Sequence, residues 1–207
     1  MSAAADELAP ALAALAEGRI VILAGDRLRG GDIDFVMAAR HVTAEAVNFM
    51  AIHGRGLICL AITPERAVRL GIGLINSGGQ RQSGRPFGRS IEAREGVSTG
   101  ISAADRARTV QIAVAQEATA DDIVSPGHVF PLIARAGGVV ERQSATEGSI
   151  DLCRLADAGD AAVLCSIMRE DGEMARIDDM TGFARRHDIP VATIGSLMRA
   201  VRDERER

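Results

Sequence analysis

Leu8, Leu12 and Leu15 recur at helical spacing and predict an amphipathic helix from Ala5 to Glu17, with Gly18 as its stop. Short apolar runs predict strands at Ile20 to Leu23, Phe35 to Ala38, Leu57 to Ile62, Ala161 to Ser166 and Val191 to Ile194. Thr43 caps a predicted helix running to His53, with Ala46, Val47 and Met50 on one face. Thr63 caps another that begins at Pro64, the favoured first helical residue. Further helices are predicted over Ser102 to Ala115, Thr146 to Ala156, Asp178 to His187 and, strongly charged, Gly195 to Arg207. Phe87 to Ala93, Val129 to Ala134 and Val139 to Glu141 read as additional strands, and MREDGE from Met168 as a hairpin-like turn. Asn76 to Pro86, rich in Gly, Ser and Gln, reads as a loop or lid. Strands and helices intermix without strict βαβ alternation. The pattern predicts an α+β fold, a mixed β-sheet flanked by helices, in one domain over residues 1–207.

Composition narrows the function classes. An apolar share of 47% with 25% charged residues is that of an ordinary globular protein with one buried core. The net charge of −4 and the lack of Trp and Tyr argue against nucleic acid, which asks for a basic face and stacking rings. No apolar run reaches the length of a membrane span, and the acidic N-terminus lacks a signal peptide's basic start. Cys59, Cys153 and Cys165 are odd in number and without CxxC spacing, so they read as reduced core thiols of a cytoplasmic protein.

The chemistry concentrates between Gly96 and Leu152, where Gly and Pro punctuate regular elements and set polar groups at their ends. His128 follows a Pro126–Gly127 turn, and Arg142 and Thr146 follow a Gly-Gly bend. Asp105, Arg106 and Thr109 lie in the first two turns of the predicted helix there. Each has a plain structural alternative: His128 a satisfied core histidine, Arg142 and Thr146 surface residues after a turn, Asp32 a turn cap, Glu170 and Asp171 an exposed turn. His41, His53 and His187 fall in separate segments without ligand-like spacing.

The phrases GVSTGISAADR, PGHVFPL and AGGVVERQSATEGSIDL resemble the 3,4-dihydroxy-2-butanone 4-phosphate synthase family, and the likeness extends from ALAALAEGRIVIL through DGEMAR to the last strand. The resemblance implies a cytoplasmic homodimeric lyase of riboflavin biosynthesis, with sites near the subunit interface. Its Mg²⁺-assisted reaction takes ribulose 5-phosphate to the four-carbon product and formate. It assigns catalytic work to His128 and Asp32, and substrate contacts to Arg27, Asp32, Asp105, Thr109, Arg142 and Thr146.

Three family phrases differ here. DRENEGD reads DRLRGGD over residues 26–32, so Leu28 stands at a metal-binding glutamate and Gly30 at a second acid. GHTEA reads SATEG, with Ala145 at the metal-binding histidine, and CELMNDDG reads CSIMREDG, with Ser166 at the catalytic glutamate. A Leu and an Ala cannot hold Mg²⁺, which wants oxygen ligands. Each general acid or base is worth about 10²–10⁴ in rate. The expectation is therefore a diverged homologue without metal or other cofactor and without the Mg²⁺-dependent reaction. It would keep a pocket for a small phosphorylated or anionic molecule and catalyse a different, metal-independent step. Two alternatives stand beside it: an active synthase of riboflavin biosynthesis, and a non-catalytic paralogue that binds a ligand or partner.

Overall fold

The computed structural model describes residues 3–26, 30–75 and 85–206. Its strands are β1 (Val21–Asp26), β2 (Asp32–Ala38), β3 (Arg55–Ile62), β4 (Ile91–Ala93), β5 (Ile123–Ile133), β6 (Ala162–Ile167) and β7 (Val191–Thr193). They form one sheet in the order β4-β5-β3-β6-β2-β1-β7. β5 with β3 and β1 with β7 run parallel, and the other neighbours are antiparallel. The helices are α1 (Ala3–Ala16), α2 (Ala44–Gly54), α3 (Pro64–Arg69), α4 (Ala103–Val114), α5 (Gly138–Glu141), α6 (Ala145–Leu155), α7 (Ile177–Arg186) and α8 (Ile194–Arg205). This is the mixed α+β sheet that the apolar pattern predicts.

Helices cover both faces. Ile33, Phe35 and Met37 of β2 pack with α2, α4 and α7, whereas Val36 and Ala38 pack with α1, α6 and α8. A strand buried on both sides has no polar alternation, so its length is hard to read from sequence; β2 starts three residues before the predicted Phe35. Caps, by contrast, are local. Thr43 accepts a hydrogen bond from the Ala46 N–H at 3.1 Å, Thr63 from Arg66 at 3.2 Å and Ser102 from Asp105 at 3.0 Å. Gly18 ends α1 in the left-handed conformation, φ +74°.

Two expectations are corrected. Val139 to Glu141, predicted as a strand from its paired valines, is the short helix α5. Gly138 opens it at φ +65°, and the Val139 N–H is taken by the Asp151 carboxylate of α6 at 2.7 Å rather than by a sheet neighbour. Pro126–Gly127, predicted as a turn, lies inside β5. The register there jumps from Ile91↔Val129 to Glu92↔Val124, so β5 bulges against the short edge strand β4. Of the predicted loop at Asn76 to Pro86, residues 76–84 lie outside the described residues.

The bulge depends on glycine. A Cβ on Gly127 would sit 2.2 Å from the Ile91 carbonyl carbon and oxygen, both backbone atoms that cannot step aside. Gly127→Ala is expected to destabilise the protein by about 2–3 kcal/mol. The check is a urea titration, in which the midpoint should fall with little change in slope.

Candidate active site

On β2 the side chains of Asp32 and Asp34 share the face that carries Val36 and Ala38, because alternate strand residues point the same way. Asp34 is opposite Ser166 of β6 in the strand register, and Cys59 of β3 faces the same side. These residues make a polar floor under one end of the α6 layer. Arg85 lies across it. Its Nη2 donates to the Asp34 carboxylate at 2.6 Å and to the Ser166 hydroxyl at 2.6 Å, and its Nη1 approaches the Cys59 sulfur at 3.8 Å. The Ser166 hydroxyl in turn donates to Asp34 at 2.8 Å. Asp34 is wholly buried, and a charge there persists only because it is paired.

The wall is the start of α6. Ser144 caps it, accepting from the Thr146 N–H at 3.3 Å, and the Asp26 carboxylate accepts from the Ala145 N–H at 2.9 Å. A carboxylate on a helix N-terminus is favoured by the dipole and by the unbonded amides there. Asp26 is the register partner of Asp32, so β1 and β2 bring the two acids together beside α6. Asp32 pairs with Arg176 at the head of α7. Glu147 is fully buried and receives Arg142 Nη1 at 3.1 Å, the Arg135 N–H at 3.0 Å and the Ser144 hydroxyl. The Arg142 guanidinium is held by Glu147 and by the Ser144 hydroxyl at 2.9 Å, and Thr146 lies in the first turn of α6.

The other predicted residues are elsewhere. His128 on β5 is half-exposed and its Nδ1 lies 2.7 Å from the Glu92 carboxylate of β4, which anchors the ring through that nitrogen. Asp105 accepts from the Ser98 hydroxyl at 2.9 Å and from the Ser98 and Gly100 N–H groups at 3.2 and 3.0 Å. Burial pushes the Asp105 carboxyl up, but the bonds from Ser98, Gly100 and Ser102 together outweigh it and hold it below its ordinary range. Thr109 donates to the Asp105 carbonyl at 2.9 Å and accepts from the Ala93 N–H at 3.0 Å. Asp105 thus shapes the 98–100 loop, and Thr109 ties α4 to β4. Strands β3 and β6 intervene between β5 and β2, about 14 Å at the usual strand spacing. Arg27 and Leu28 lie outside the described residues.

Burial pushes Cys153 and Cys165 up to about 12, so both are inert core residues as expected. Cys59 is likewise a free thiol buried in the core, and its sulfur also lies 3.8 Å from Arg85 Nη1. His53 and His187, distant in sequence, stack with Phe49 and Phe183, the imidazole centroids 5.6 Å apart. Burial, with His187 and Arg55 nearby, pushes His53 down. Sequence reasoning missed Glu92, Arg85 and Asp34. Asp34 left a signal, an acid two residues after Asp32 within an apolar strand; nothing local to Arg85 marks it as the partner.

A family model described as 3,4-dihydroxy-2-butanone 4-phosphate synthase matches residues 9–200. The chain belongs to this family. A 3,4-dihydroxy-2-butanone 4-phosphate synthase of Pseudomonas aeruginosa is 48% identical over 182 residues, 88% of this chain and 50% of that protein. The riboflavin biosynthesis protein RibBA of Aquifex aeolicus is 48% identical over 185 residues, 88% of this chain and 46% of that protein. The chain spans about half the length of these curated relatives. A solved 3,4-dihydroxy-2-butanone 4-phosphate synthase in complex with two magnesium ions superposes with a TM-score of 0.87 at 35% identity, over 93% of this chain and 94% of that one.

That last relative corrects the expectation that no cofactor is involved: a synthase of this fold holds magnesium. Reasoning from Leu28 and Ala145 alone failed because a metal site is a meeting of several strands. A ligand missing from one phrase leaves the oxygen donors that other elements supply. Here the Asp26 carboxylate accepts the Ala145 N–H and Asp32 pairs with Arg176, so both acids have partners within the chain. Among the described residues no three His, Cys, Asp or Glu side chains converge as a complete metal cage.

The Glu147–Arg142 pair generates a stability prediction. Arg142→Ala leaves a fully buried carboxylate without its cation, which is expected to cost about 3–5 kcal/mol. Chemical denaturation of the variant checks it; a loss under about 1 kcal/mol would mean that Arg135 and Ser144 satisfy Glu147 alone.

Proposed function

We propose that this chain binds a ketose phosphate of the ribulose 5-phosphate type on the α6 face of its sheet and acts on it as a lyase of the synthase family. The observation that carries the reading is the Ser144-capped start of α6, with Arg142 and Thr146 beside the paired acids Asp26 and Asp32. Its support from relatives is identity of 48% to a synthase across 88% of the chain. Arg142 and the Thr146 hydroxyl hold the phosphate, the guanidinium pre-aimed by Glu147 so that little orientation is lost on binding. Asp32 is the candidate base for the proton next to the ketose carbonyl. Magnesium, which the solved relative holds, would polarise the substrate oxygens, and Asp26 beside α6 is the carboxylate that would lend it an oxygen.

A second reading, a different reaction on the same anion or binding without turnover, is favoured by one observation. Ala145 and Ser166 carry neither imidazole nor carboxylate where the resemblance expects them. Formate release from ribulose 5-phosphate with magnesium, beside calorimetric titration of the same sugar phosphate, separates the two. Magnesium-dependent formate at ordinary enzyme rates is expected for a synthase. Binding without formate supports the second reading. Neither binding nor formate removes both.

We further propose a two-fold dimer in which His128 of one copy completes the site of the other. His128 is half-exposed at the β4–β5 edge, held there by the mostly buried Glu92, and the exposed apolar side chain of Val124 lies on the same strand. Light scattering should give twice the 21.8 kDa of one chain. A monomer at micromolar concentration rejects the arrangement.

A further inference from the structure

The floor of the site contains a buried charge pair with no role so far: Asp34 on β2 and Arg85 from the segment before β4. The two partners differ in access. The Asp34 side chain is 0% exposed and that of Arg85 14%, so of the pair only the guanidinium can meet a ligand. Both of its hydrogen bonds to oxygen leave from Nη2, to Asp34 and to Ser166. Those two bonds fix the plane of the fork, and the Nη1 and Nε donors are spent on no oxygen among the described residues. The single Nη1 contact is the weak one to the Cys59 sulfur at 3.8 Å.

An arginine immobilised in this way recognises a pair of oxygens rather than a point charge. Asp34 lies one pleat from Asp32 on the same face, about 7 Å along the strand, while the phosphate contacts Arg142, at the end of α5, and Thr146, in the first turn of α6, flank the start of α6. We propose that Arg85 is a specificity-determining residue of this site. It receives the carbonyl and neighbouring hydroxyl oxygens of the sugar, at the end away from the phosphate, and Asp34 with Ser166 are the positioning residues that hold it. Where negative charge develops on those oxygens, a fixed guanidinium stabilises it without reorganising. The assignment rests on the ketose phosphate reading above and adds which chemical end of the ligand faces which cation.

Arg85→Ala would strand the buried Asp34 charge and could unfold the protein, so it is not the variant to use. Asp34→Asn combined with Arg85→Gln removes both charges in nearly the same volume, and Arg85→Lys keeps the charge but not the fork. Each is titrated calorimetrically with ribulose 5-phosphate and with inorganic phosphate, after a cooperative thermal melt shows that it is folded. The expected result is a loss of about 10–100-fold in ribulose 5-phosphate affinity for the double variant and about 10-fold for Arg85→Lys. Phosphate affinity should stay within about twofold of the parent, since its contacts flank the start of α6. Unchanged sugar-phosphate affinity in a folded variant overturns the role of Arg85 and leaves the phosphate pocket standing. An equal loss for both ligands overturns it too, because the effect would not be confined to the sugar end. A parent that binds neither ligand removes the ketose phosphate reading and this assignment with it.

Discussion

A sheet covered by helices on both faces offers a charged side chain no water, so any carboxylate placed on it must meet a cation or a set of N–H groups. Three carboxylates on the α6 side obey this rule in different ways. Asp34 meets Arg85, Asp26 meets the first amide of α6, and Glu147 meets Arg142, Ser144 and a backbone amide. These pairs decide where the arginines point, and the arginines decide what the cavity can recognise. Apolar packing alone would give the same strand order without a site.

The local part of this design was legible. Thr43, Thr63 and Ser102 are caps because a hydroxyl before a helix reaches an amide three residues on, which needs only neighbours in sequence. Strand existence was legible too, since apolar runs of five or six residues need no partner to be recognised. What could not be read was anything decided across the sheet. Val139 and Val140 have strand propensity, yet an aspartate on α6 captures the Val139 amide and makes a helix. Gly127 looks like a turn residue but serves the close approach of β4 to a bulge. Cys59 reads as a core thiol and is one, but the approach of Arg85 to it, from a segment distant in sequence, has no local mark.

The same distinction governs the site. Motif positions single out Arg142, Thr146 and Asp32, which ride on elements whose order the sequence reveals. They also identified Ala145 and Ser166 as substitutions, but not what surrounds them. Ser166 is held between a guanidinium and a carboxylate. A serine in that setting keeps the position polar and tied to Asp34 across the β2–β6 register. Counting lost ligands treats each position as independent, whereas the partners of Ser166 come from β2 and from the segment before β4.

The sheet order also sets His128 apart from the acids of β2. Its Nδ1 lies 2.7 Å from Glu92 on the neighbouring strand, so the ring is anchored through that nitrogen. β5 bulges against β4 at this point, and the backbone that carries His128 is set by the close approach of Gly127 to Ile91. Two inner strands, β3 and β6, separate β5 from β2, so the imidazole and the Asp32 carboxylate are held by different parts of the fold.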